Sequence, residues 1–144
     1  MAENGTYFSV NIGDLPVAAN VCQQELREVW RDNEDQVSIA HVRMESGADS
    51  LLHEHRVMTE VYHGLEGTGE LIVGEEVILF RSGTVVEIPP LVPHKLTNTG
   101  EGNLVHMVHA IPAFDPEDVY PLEELPQQDT TDEEFIYGLQ VDNV

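Results

Sequence analysis

Apolar and polar residues alternate with a period of two along most of the middle of this chain, and Gly or Pro cuts the alternation at short intervals. Val37–Met44 is the clearest stretch: Ala40, Val42 and Met44 fall on one side, and Ile39, His41 and Arg43 on the other. Successive side chains of a strand point to opposite faces, so this stretch reads as a half-buried β-strand. Leu51–His55, Glu60–Leu65, Glu70–Val73, Val77–Phe80, Val85–Ile88, Lys95–Asn98 and Leu104–Ile111 continue the series. Glu66-Gly-Thr-Gly69 is a turn, and Gly74-Glu-Glu76 closes a hairpin. Short strands punctuated in this way predict an all-β sandwich or barrel.

The two ends are less regular. Residues 1–20 show only a turn at Gly13-Asp-Leu-Pro16. Cys22–Arg31 suits a helix or a strand, because Gln24, Leu26, Glu28 and Trp30 alternate with Glu25, Arg27, Val29 and Arg31 and period two gives no clean apolar face. Asn33-Glu-Asp35 is a turn. Residues 112–144 contain no Lys, Arg or His and four prolines. They read as an acidic extension packed loosely on the rest or trailing from it, with Phe135-Ile-Tyr137 and Leu139 as the alternative, a clasp.

Charge narrows the possible partners. The chain has 27 acidic against 6 basic residues, a net charge of −21. Such a surface repels phosphate backbones and anionic membranes, so no nucleic-acid or membrane partner is expected. No apolar run approaches a membrane span, and the first residues lack a basic stretch followed by an apolar one. Cys22 is the single cysteine, which rules out an internal disulfide and reads as a small buried apolar residue. A cytoplasmic location is expected.

The candidate chemistry lies in one stretch. His53 and His55 flank a single residue, and Glu60 follows after a short loop. On a strand the two imidazoles share a face, and a chain reversal can return the carboxylate to the same point. Neutral imidazole suits Zn, Fe, Ni and Cu, and carboxylate extends the range to Mn. A further histidine, His94, ends the proline-rich run Pro89-Pro-Leu-Val-Pro93.

These two stretches together resemble the paired motifs of the cupin superfamily. The first motif is matched at Gly47, His53, His55, Glu60 and Gly67; the second at Gly83, Pro89, His94 and Asn98. Leu91 stands where the second motif has glycine. The resemblance implies a double-stranded β-helix, or jelly-roll barrel, that holds one divalent metal ion. It carries the ligand positions onto His53, His55, Glu60 and His94. It also favours a strand over Cys22–Arg31 and a homodimer. The expected single domain then has an N-terminal arm and strand (1–36), a barrel core (37–111) and the acidic extension (112–144).

Three imidazoles and a carboxylate leave an octahedral ion with open positions for a substrate. Such an ion can act as a Lewis acid on a carbonyl or enol oxygen, or as a redox metal binding substrate with dioxygen. Tyr62 and Leu96 share faces with Glu60 and His94, and Val57 and Met58 fall in the loop expected at the mouth. On the last strand His106 and Val108 take one face, and Val105, Met107 and His109 the other. The alternation leaves open which of these faces lines the pocket. His106, His109 and Tyr62 are thus candidate acid/base groups, and Val57, Met58, Tyr62, Leu96 and Met107 candidate substrate contacts. His63 has the opposite parity to Glu60 and is assigned outward. Arg43 and Arg56 are the only basic candidates near the motifs, and Lys95 has the wrong parity, which disfavours a phosphorylated or polyanionic substrate. The expected activity is cyclisation, isomerisation or elimination on a small apolar or aromatic oxygenated molecule, compatible with a likeness to metal-dependent polyketide cyclases. The alternatives are a dioxygenase and a non-catalytic binding module.

Overall fold

The computed structural model describes residues 7–21 and 24–123. Its strands, in chain order, are β1 (Ala19–Val21), β2 (Gln24–Arg31), β3 (Ser38–Met44), β4 (His53–Glu54), β5 (Thr59–Glu66), β6 (Thr68–Val73), β7 (Glu76–Arg81), β8 (Val85–Ile88), β9 (His94–Asn98), β10 (Leu104–Ile111) and β11 (Tyr120–Pro121). They form a six-stranded sheet, β1-β2-β3-β10-β5-β8, and a five-stranded sheet, β11-β4-β9-β6-β7. The fold is the jelly-roll barrel, with every named strand pair antiparallel. Cys22 and the Phe135–Leu139 stretch lie outside the described residues.

Alternation sorts each strand's side chains between core and outer face. Val42, Met44, Tyr62, Leu71, Phe80, Ile88, Leu96 and Leu104 meet in one buried cluster between the sheets. Each such side chain contributes about 1.5–3 kcal/mol by leaving water. On β5 the buried residues are Glu60, Tyr62 and Gly64, so the same inward face carries both a core aromatic and a candidate ligand.

Two turns decide where the ligand strands end. Gly67 links β5 to β6 with φ +85°, and a Cβ there would collide with the Asn103 carbonyl and the Leu104 backbone. Glycine is required at that point. Leu91, by contrast, adopts φ +71° without being glycine. The turn before β9 keeps the left-handed conformation, and the Leu91 amide donates to the His55 carbonyl at 2.7 Å. The departure from the motif therefore leaves the turn intact, at the cost of backbone strain in an exposed residue.

After β10 the chain crosses back over the barrel. A short 3-10 turn over Pro116–Asp118 leads into β11, which pairs with β4 alongside His53.

Candidate metal centre

His53, the first residue of β4, lies directly across from His94, the first residue of β9. His55 follows just beyond β4, and the 56–58 loop then carries the chain to β5. Glu60 lies on β5 in register with Ile88 on one side and Ala110 on the other. Three imidazoles thus come from one sheet and the carboxylate from the other. One donor atom from each of the four residues lies within 4.8 Å of the rest.

The ring nitrogens show what this cluster is suited to. His53 Nδ1 lies 3.0 Å from the Leu51 carbonyl, His94 Nδ1 3.0 Å from the Val92 carbonyl, and His55 Nδ1 2.8 Å from the Asp118 carbonyl. A carbonyl only accepts, so each Nδ1 carries a proton, and in the neutral form of each ring the Nε2 lone pair turns inward. His55 Nε2 and His94 Nε2 stand 3.0 and 3.2 Å from Glu60 Oε1. Lone pairs facing a buried carboxylate repel unless a proton or a cation lies among them. Hydrogen-bonding the far nitrogen is also how metal-binding histidines are oriented. The donor set therefore fits a divalent cation.

Electrostatics point the same way. Burial alone pushes Glu60 upward, but the adjacent His55 and His94 outweigh it and hold the carboxyl below its ordinary range. Burial also opposes charge on His55, while Glu60 and the Asp118 carbonyl raise it above the usual imidazole value. His53 is pushed down to about 3, first by burial and then by the neighbouring His94 and His55. The carboxylate supplies negative charge, and His53 stays a neutral imidazole.

A cavity opens beside these groups. Tyr62 and Leu96 line it, as do Gln24, Leu26, Glu28 and Phe114. On β10 the inward set is His106, Val108 and Ala110. Met107 and His109 occupy the alternate positions on the outer face, where Met107 is in register with His41 on β3 and His63 on β5. β10 pairs with β3 without a break in register from Leu104 to Ala110, so one set of alternate residues faces inward along its length. His106 stacks on Tyr62 at 5.0 Å and meets Phe80 edge-on at 5.7 Å. Both its ring nitrogens are buried without a well-formed hydrogen bond, and burial pushes its pKa down to about 4. Val57 is exposed and Met58 is buried; they flank a separate cleft with Arg31, Asp35 and Pro112. Among the described residues, no Arg or Lys lines this cavity.

Asp118, Gln24 and Glu28 carried no mark in the sequence. Asp118 reads as one of many acids, and the partners of its carboxylate and carbonyl are 60 to 63 residues away. Gln24 is buried on β2 beside the cavity, where an apolar residue would be expected, and Glu28 lines the same cavity while exposed and paired with Arg31.

The sequence model of the cupin domain matches residues 40–110, from β3 through β10. An uncharacterised protein of Methanocaldococcus jannaschii is 34% identical over 86 residues, which cover 60% of this chain and 69% of that protein. The chain belongs to the cupin family. This cupin's fold is shared by a predicted oxalate decarboxylase from Thermotoga maritima, with TM-score 0.65 and 18% identity over 72% of this chain and 98% of that one. It is shared also by Pac13, described as a nucleoside dehydratase, with TM-score 0.69 and 14% identity over 84% of this chain and 95% of that one. An RmlC-like cupin from Shewanella frigidimarina matches with TM-score 0.66 and 16% identity over 76% of this chain and 93% of that one. At these identities the structural matches speak for the architecture. No helix among the described residues is long and apolar enough to cross a membrane.

Proposed function

We infer that this cupin is a metal-dependent enzyme that acts on a small, uncharged, apolar or aromatic oxygenated molecule by non-redox chemistry. One observation carries the reading. Three imidazoles, each with its outer nitrogen tied to a backbone carbonyl, converge with a buried carboxylate at the wall of a largely apolar cavity. A divalent ion held by His53, His55, Glu60 and His94 would supply a Lewis acid for a carbonyl or enol oxygen.

The remaining roles fall to the chain itself. Leu26, Leu96, Val108 and Phe114 give the cavity apolar walls that favour an apolar body and exclude water. The lack of a lining Arg or Lys leaves no bidentate or point-charge partner for a phosphate. His106 is kept neutral by burial, so it can accept a proton from the substrate or orient a substrate hydroxyl. Tyr62, between His106 and His94, fixes the plane of the His106 ring. Cyclisation, isomerisation and elimination all fit these parts, including reactions of the polyketide-cyclase kind. The Pac13 likeness adds dehydration as an example of elimination on this architecture.

The runner-up is a dioxygenase, since the same donors suit Fe, Ni or Cu. Elemental analysis of protein purified without added metal names the ion. Turnover that persists without dioxygen, with a redox-inert ion bound, supports the Lewis-acid reading; strict dependence on dioxygen overturns it. Ligand affinity and biological output that survive His94→Ala would instead favour a binding module.

A further inference from the structure

The geometry assigns Asp118 a positioning role at the candidate metal centre: it holds His55 in the orientation and tautomer that present Nε2 to the site. This deepens the metal reading and depends on it only for what the site binds.

The three imidazoles are not held alike. His53 and His94 are each tied to a carbonyl two residues earlier in their own segments, Leu51 and Val92, both at 3.0 Å. Local backbone orients these two rings. His55 is tied to the Asp118 carbonyl, 63 residues further along, at 2.8 Å. Its orientation is borrowed from a segment outside the paired motifs.

The Asp118 side chain fixes that carbonyl in place. Oδ1 accepts from the amides of Arg56 at 2.8 Å and Val57 at 3.2 Å, and Oδ2 from Val57 at 3.1 Å and Met58 at 2.9 Å. These are the amides of the loop that joins His55 to β5 and so to Glu60. One buried carboxylate, 6% exposed, therefore clamps the connection between two ligands while its own carbonyl orients one of them. Charge-assisted bonds to three amides compensate the burial of its charge. The flanking chain is anchored at the same strand: Arg56 packs over the Tyr120 ring at 3.8 Å, and Glu123 accepts from the Leu52 amide at 2.6 Å. Removing the carboxylate frees the loop and the carbonyl together. The His55 ring then loses its fixed tautomer, while His53 and His94 keep theirs.

The test compares Asp118→Ala and Asp118→Asn with the unaltered protein. One readout is the 15N imidazole spectrum of the metal-free protein at mildly alkaline pH, which reports the tautomer of each histidine. The other is Zn2+ affinity by chelator competition. In Asp118→Ala, His55 is expected to shift from Nδ1–H to a tautomer mixture, with His53 and His94 unchanged. Zn2+ affinity should fall about ten- to a hundredfold, the usual effect of losing a partner behind a ligand. Asp118→Asn retains one oxygen acceptor and should fall between. An unchanged His55 spectrum with unchanged affinity overturns the assignment. So does a common change in all three histidines, which marks a general loss of structure. If Asp118→Ala does not fold, Asp118→Asn is judged by the same criteria. An unaltered protein without Zn2+ affinity overturns the metal reading alone, and the tautomer comparison still decides this one.

Discussion

His53 and His94 are cross-strand partners, their ring centroids 4.2 Å apart across the β4–β9 pair. A single register contact thus brings together two donors 41 residues apart, since 94 − 53 = 41. A slip of one residue would turn His94 to the opposite face.

His94→Ala should therefore empty the site. The expected result is loss of metal from protein purified without added metal, loss of activity, and loss of the chelator-sensitive part of the melting temperature. Bound ions stabilise only the folded state, so chelation should lower the melting temperature of the unaltered protein and leave the variant's unmoved. A variant that keeps a full complement of metal would remove His94 from the ligand set.

Acid sensitivity should trace in part to His106. Its imidazole has an ordinary value of 6.5 and is pushed down to about 4 in the folded protein by burial. Between these values the unfolded chain takes up the proton and the folded one does not. Stability is therefore full above 6.5, falls as the pH drops toward 4, and levels off below that. The whole interval is worth on the order of 3 kcal/mol. In metal-free protein, His106→Asn should flatten the stability profile across this window relative to the unaltered chain. Parallel profiles in denaturant titrations would place the acid response elsewhere.

Leu91 offers a stabilising substitution. It is 62% exposed and holds φ +71°, so its side chain buries little while its backbone is strained. Leu91→Gly should raise stability by about 1 kcal/mol, the relief of strain exceeding the added freedom of the unfolded chain. A fall in the denaturation midpoint would contradict this.

Asn98 is a motif residue whose role is structural. Its Nδ2 donates to the Met44 and Gly102 carbonyls at 3.0 and 2.9 Å, and its Oδ1 accepts from the Gly100 amide at 2.9 Å. Asn98→Ala removes this donor from the buried Met44 carbonyl and should cost about 1–3 kcal/mol, while the Gly100 and Gly102 groups can turn to water. Metal content per folded molecule should stay unchanged.

A homodimer remains the proposed assembly. Sedimentation at high salt, where a net charge of −21 is screened, should show it. Monomers alone under those conditions would refute it.

Much of this architecture was legible in the residue pattern. The β3 alternation, the Glu70–Phe80 hairpin and the paired motifs all appear where expected, because one face of each strand is buried and selects apolar side chains. β2 was ambiguous for a physical reason: its cavity-lining positions include Gln24, which is buried though polar, and Glu28, which is exposed and paired with Arg31, so neither demands an apolar residue. The phase of β10 was hidden because His106-Met-Val-His109 offers no contrast in polarity. Asp118 left no local trace, since its role lies wholly in contacts with a distant loop.

The division of donors between the sheets has a last consequence. Three are mounted on one layer and Glu60 on the other, so for an ion held there the gap between the layers would act as a caliper on ionic radius. Substitutions that change this gap from a distance, such as trimming Phe80 or Leu71 in the shared core, should alter which ion is preferred without touching a donor.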